Sequence, residues 1–178
     1  MKKHSWFPTI IYEWQNLLEE EDFKQLSETS LIDNATIKYD RLENKIISSV
    51  QEIIKNTSID DSYKVDITEI WSNISPRGKN HPYHTHPNSI FSGVYYITEG
   101  EPTIFVDPRP AKDAFQLKGH IEPLPFIAAI PNKLIIFPSW LPHYVNPNTT
   151  SDIRKTISFN ILLRGDYGIS GFRAETKI

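Results

Sequence analysis

The 178-residue chain has no cysteine. Disulfides, cysteine-ligated zinc and cysteine nucleophiles are excluded at once, and a cytoplasmic location is the default expectation. An excess of one charge is also missing. Against 22 acidic residues stand 19 basic ones, and a net charge of −3 gives no electrostatic footprint for nucleic acid. No apolar run approaches a membrane span. The start, Met1-Lys2-Lys3-His4-Ser5-Trp6-Phe7-Pro8, has no apolar signal core, so no secretion signal is expected from it. Internal repeats and low-complexity linkers are lacking too. Residues 1–178 are therefore read as one domain, a size that buries roughly 70% of its unfolded surface.

Proline and aromatic residues are plentiful: 13 prolines and 12% Phe, Trp and Tyr favour turn-punctuated β structure. Trp14 to about Lys55 reads as two helices. The acidic run Glu19-Glu20-Glu21-Asp22 suits a helix start, and Leu42, Ile46, Ile47, Val50, Ile53 and Ile54 recur at spacings of three and four. After Ser62 the pattern changes to short β runs: Val65–Trp71, Ser92–Ile97, Thr103–Val106, Lys133–Pro138 and Lys155–Leu162. Helices followed by many strands predict a mainly β fold with N-terminal helices. The expected architecture is a double-stranded β-helix (a cupin-like jelly roll), with about 1–60 as N-terminal segment and about 61–178 as core. The Pro-rich stretch Asp107–Asn132 is expected to be an irregular loop across a site mouth.

Histidines supply the chemistry. His84 and His86 lie two apart in Asn80-His81-Pro82-Tyr83-His84-Thr85-His86-Pro87-Asn88, and on a strand such residues share a face. Two imidazoles there can bind one metal ion. His143, in Phe137-Pro138-Ser139-Trp140-Leu141-Pro142-His143, is the best third donor. Imidazole suits Fe, Zn, Cu or Ni, and three ligands leave open positions for co-substrates. In most soluble proteins a His-x-His pair alone is surface decoration. His81 is an outer-shell candidate and His120 reads as a loop residue.

Arg154 opens the strand after His143, and Ser158, four residues on, points to the same face. An arginine inside a barrel is costly unless it meets an anion, and its planar fork suits a carboxylate. Tyr96 of the Tyr95-Tyr96 pair offers a phenol. The bland alternatives are an exposed salt bridge for Arg154 and core packing for the tyrosines.

In this order the residues resemble the prolyl-4-hydroxylase-like superfamily of 2-oxoglutarate/Fe(II) oxygenases. More closely, they resemble a family of small 2-oxoglutarate/Fe(II)-dependent oxygenases of bacteria and phages. The matching blocks are Trp6-Phe7-Pro8-Thr9, Trp71-Ser72-Asn73, His84-Thr85-His86-Pro87-Asn88-Ser89 and Ser92-Gly93-Val94-Tyr95-Tyr96, then Phe137–His143 and Arg154–Asn160. They span most of the chain, and Ser-Gly-Val-Tyr-Tyr with Phe-Pro-Ser-Trp-Leu-Pro-His is a specific combination. The resemblance implies Fe(II) at His84 and His143, 2-oxoglutarate as co-substrate with its distal carboxylate on Arg154 aided by Ser158 and Tyr96, and O₂ as oxidant. The product side is succinate and a hydroxylated substrate, either a small molecule or a peptide or protein side chain. One departure stands out. The superfamily has Asp or Glu where this chain has His86, which leaves the donor set one negative charge poorer. Asn88 and Asp107 are weaker substitutes.

Two other readings compete. Three-His cupin-type dioxygenases use the same donors without 2-oxoglutarate, but give Arg154 and Ser158 no task. A jelly-roll binding protein that has lost its chemistry is the non-enzymatic reading. Strand edges in such folds allow a homodimer.

Overall fold

The computed structural model describes residues 1–2, 8–59, 61–109, 125–168 and 176–178. Five strands, β1 (Tyr12–Trp14), β2 (Lys64–Ser75), β4 (Phe91–Tyr96), β7 (Lys133–Pro138) and β9 (Arg154–Arg164), form a sheet in the order β1-β7-β4-β9-β2. A second sheet runs β3-β8-β5-β6, from β3 (His81–His84), β8 (His143–Val145), β5 (Gly100–Phe105) and β6 (Phe126–Ala129). All these pairings are antiparallel. A small ribbon pairs β10 (Asp166–Tyr167) with β11 (Thr176–Lys177). The architecture is the jelly roll expected from the strand pattern.

The two faces of the large sheet differ because side chains alternate along a strand. Ile157, Phe159, Ile161 and Leu163 of β9 point outward. They are buried with Leu42, Ile46, Val50 and Ile53 of helix α2 (Asp40–Lys55) and with Leu26 of helix α1 (Glu20–Glu28). That apolar stripe, spaced by three and four, holds α2 in place. The opposite face closes on the smaller sheet through Val94, Tyr96, Ile135 and Phe137 against Phe105 and Ala129. Gly93 permits the close approach of β4 to its neighbours: a Cβ there would lie 2.2 Å from Phe159 and 2.5 Å from the Ile135 carbonyl.

The tyrosine pair divides between the faces. Tyr95 points outward and donates to Asn132 Oδ1 at 2.8 Å, while the same amide also holds the backbone of Leu18. Tyr96 points inward. Two boundaries differ from expectation. The helical reading from Trp14 fails at its start, because Tyr12–Trp14 pairs with β7 and the first helix begins at Glu20. The stretch Asp107–Asn132 is not wholly irregular, since Phe126–Ala129 joins the edge of the smaller sheet. His4 and His120 lie outside the described residues.

Candidate active site

His84 and His143 face each other across the β3–β8 pair, with ring centroids 4.3 Å apart. His86 is not on the strand: β3 ends at His84. Its backbone N–H instead donates to the Ser139 carbonyl at 3.0 Å, which folds the segment after β3 back over the cavity. His84, His86 and His143 thereby form the one cluster of potential metal donors among the described residues, their ligand atoms all within 4.8 Å of one another. No carboxylate of the described residues joins it. Asn88 sits in a left-handed turn (φ 59°), and Asp107 is ion-paired with Arg109.

Hydrogen bonding sets the donor atoms. His84 Nδ1 lies 2.7 Å from the Pro82 carbonyl and His143 Nδ1 lies 3.0 Å from the Leu141 carbonyl. A carbonyl only accepts, so each Nδ1 carries the proton and each Nε2 keeps its lone pair. His143 Nε2 and His86 Nε2 are 3.3 Å apart. Two metal–nitrogen bonds of about 2.1 Å at a right angle span roughly 3 Å, so the pair is spaced for one ion. Burial holds His143 down at about 3 and His86 at about 4, with His84 lowering both further, so both are neutral donors at pH 7. Phe105 and Phe137 pack on the His143 ring and fix its orientation. Three imidazoles whose ligand atoms converge fit Fe(II) or a similar borderline ion.

The histidines line a cavity of about 200 Å³ that Arg154, Thr103, Thr156, Ser158, Asn73 and His81 also line. Arg154 is 3% exposed. Its Nε–H donates to the Glu101 carbonyl at 2.9 Å, and its guanidinium carbon lies 5.7 Å from the Tyr96 ring centre. Among the described residues no carboxylate is paired with it. Gly100, with φ 147°, lets the arginine stem pass, since a Cβ there would meet it at 3.1 Å. Ser158 accepts from Asn73 Nδ2 at 2.8 Å, which leaves its O–H free to donate. Tyr96 does not line the cavity. Its hydroxyl is 2.7 Å from that of Thr103, which does. Sequence reasoning missed Thr156, although the alternation that joins Arg154 to Ser158 passes through it. Thr103 had no local signal, because it enters only through pairing within the smaller sheet.

A family model described as "Putative 2OG-Fe(II) oxygenase" matches residues 69–160, just over half of the chain. The chain belongs to this family. This 2-oxoglutarate/Fe(II) oxygenase is thus an enzyme of a family that uses Fe(II), 2-oxoglutarate and O₂. No curated protein sequence matches the oxygenase. Its fold is that of a viral collagen prolyl hydroxylase from Paramecium Bursaria Chlorella virus-1, solved with 2OG (TM-score 0.58, 13% identity, covering 85% of this chain and 94% of that one). A Pseudomonas putida prolyl-4-hydroxylase is similar (TM-score 0.59, 13% identity, 85% and 84% covered). So is HygX from Streptomyces hygroscopicus, solved with nickel and 2-oxoglutarate (TM-score 0.61, 7% identity, 86% and 81% covered). Among the described residues no helix of the oxygenase is long and apolar enough to cross a membrane.

Proposed function

We propose that His84, His86 and His143 hold Fe(II) through their Nε2 atoms, and that Arg154 receives the distal carboxylate of 2-oxoglutarate. One observation carries this reading. A buried guanidinium without a carboxylate partner among the described residues stands in the cavity that the three converging imidazoles also line. A buried cation is costly alone, and a ligand carboxylate offsets that cost through charge-assisted hydrogen bonds. Ser158 donates a further hydrogen bond, and Tyr96 steadies the guanidinium from behind while orienting Thr103.

Fe(II), when bound, supplies the redox chemistry with O₂ that couples decarboxylation of 2-oxoglutarate to oxidation of a substrate C–H bond. The protein's own part is binding and exclusion. Val94 and Val145 line the cavity beside the polar row, and Phe105 and Phe137 are buried in one core cluster with Val94. With His86 in place of a carboxylate, the donor set has one negative charge fewer than the superfamily's usual one. The oxidised substrate is a small molecule or a peptide or protein side chain. Residues 1–178 act as one oxygenase domain.

Addition of Mn(II) as an inert stand-in should raise the Tm of the parent and leave that of His143→Ala unchanged. Equal shifts in both proteins would remove His143 from the ligand set.

A further inference from the structure

Outside the cavity lies a second, more open one of about 560 Å³. Asn34 and Trp71 line both, so the two meet at these residues. The Trp71 ring is 6.1 Å from that of His86. A bulge in β2 between Ile67 and Glu69 places Glu69 in the outer cavity next to Trp71.

The Glu69 carboxylate is oriented. Asn160 Nδ2 donates to its Oε2 at 2.7 Å, Ser92 donates to Asn160 Oδ1 at 2.8 Å, and Ser92 meets the Ser139 hydroxyl at 2.8 Å. Ser92 and Ser139 are fully buried. Ser139 is also the residue whose carbonyl holds His86. A buried polar chain from the metal-side loop therefore ends on a carboxylate at the surface. No lysine, arginine or histidine is within ion-pair distance of that carboxylate among the described residues.

Resting on the reading above, we propose that the outer cavity binds the oxidised substrate, and that Glu69 recognises a cationic group on it, a guanidinium or an alkylammonium. The carboxylate supplies the counter-charge and the Trp71 face supplies a cation–π and stacking surface. Ile67 offers apolar area for the alkyl stem. With its cation held at Glu69, the stem lies toward Trp71 and the shared mouth, which brings a C–H bond of the same molecule to the histidines.

The test is an NMR titration of the Trp71 indole N–H resonance, assigned by its loss in Trp71→Phe. The probes are n-butylguanidinium and n-pentylammonium, with n-butylurea as neutral control. At least one cation should shift the resonance saturably, the urea should not, and Glu69→Gln should weaken the cation at least tenfold. Glu69→Gln keeps an acceptor for Asn160, so the polar chain survives the change. No saturable shift with either cation in the parent, equal affinity in Glu69→Gln, or equal binding of the urea would each overturn the proposal. The titrations are run on metal-free protein, and 2-oxoglutarate binding is measured separately with metal present. Failure of that second measurement would therefore count against the metal and co-substrate reading alone.

Discussion

Strand β9 carries two chemistries on one backbone. Its outward residues Ile157, Phe159 and Ile161 are apolar and pack beneath the helices, whereas its inward residues Arg154, Thr156, Ser158 and Asn160 are polar and serve the cavity. The outer face stabilises the fold through area removed from water. The inner face gives up that contribution to hold polar groups with capacity to spare: Arg154 bonds only the Glu101 carbonyl among the described residues, and Ser158 accepts from Asn73 with its own O–H free. In such a barrel, polar residues at interior positions mark where binding happens, because each would otherwise be replaced at no loss by an apolar one.

Changes on the two faces should therefore separate stability from binding. The largest effect is expected on the outer face: Phe159→Ala removes a fully buried ring and should cost about 3–5 kcal/mol. In thermal unfolding that is a fall in Tm on the order of 10 °C. Surviving protein should still bind 2-oxoglutarate normally; a Tm within two degrees or so of the parent would dissolve the contrast.

Acid comes next. His143, His86 and His81 are held near 3, 4 and 4, chiefly by burial, against an ordinary value near 6.5. The unfolded chain then binds more protons than the folded one between those limits, so stability falls as pH drops from about 6.5 toward about 4. Urea unfolding of metal-free protein at pH 7 and pH 5 should show the loss, and His143→Gln should reduce it. A pH-independent midpoint would mean that these rings are not held neutral.

The smallest effect belongs to Ser158→Ala on the inner face. Loss of one hydrogen bond is worth about 1 kcal/mol, so 2-oxoglutarate should bind roughly fivefold more weakly, and the loss of Asn73's acceptor should lower Tm by only a few degrees. A large Tm loss without a binding change would recast Ser158 as a packing residue.

Much of this division was legible beforehand. The alternation of β9 and the apolar run of β7 have period two built into them, and the stripe of α2 has period 3.6. Where local pattern failed, the cause was non-local. Tyr12–Trp14 is a strand only because β7 lies beside it, and β3 and β8 are four and three residues long, too short to show a period. His86 was placed on a strand by spacing, yet it reaches the cluster through a loop bond to Ser139. Tyr95 and Tyr96 could not be ranked from sequence, because adjacent strand residues face opposite ways and nothing local says which way is in. The link from Asn160 to Glu69 depends on a bulge that no spacing rule reveals.

The most direct test of the central claim is anaerobic titration of the Fe(II)-loaded protein with 2-oxoglutarate, followed by the visible charge-transfer band of the chelate. Truncating one partner of a buried charge pair costs about 2–5 kcal/mol, so Arg154→Ala should need at least roughly 30-fold more 2-oxoglutarate while binding iron as the parent does. A saturable band in the parent that weakens in this way is the predicted result. No band from iron-loaded parent, or equal affinity in Arg154→Ala, would contradict the assignment of Arg154 and the histidines to one co-substrate site.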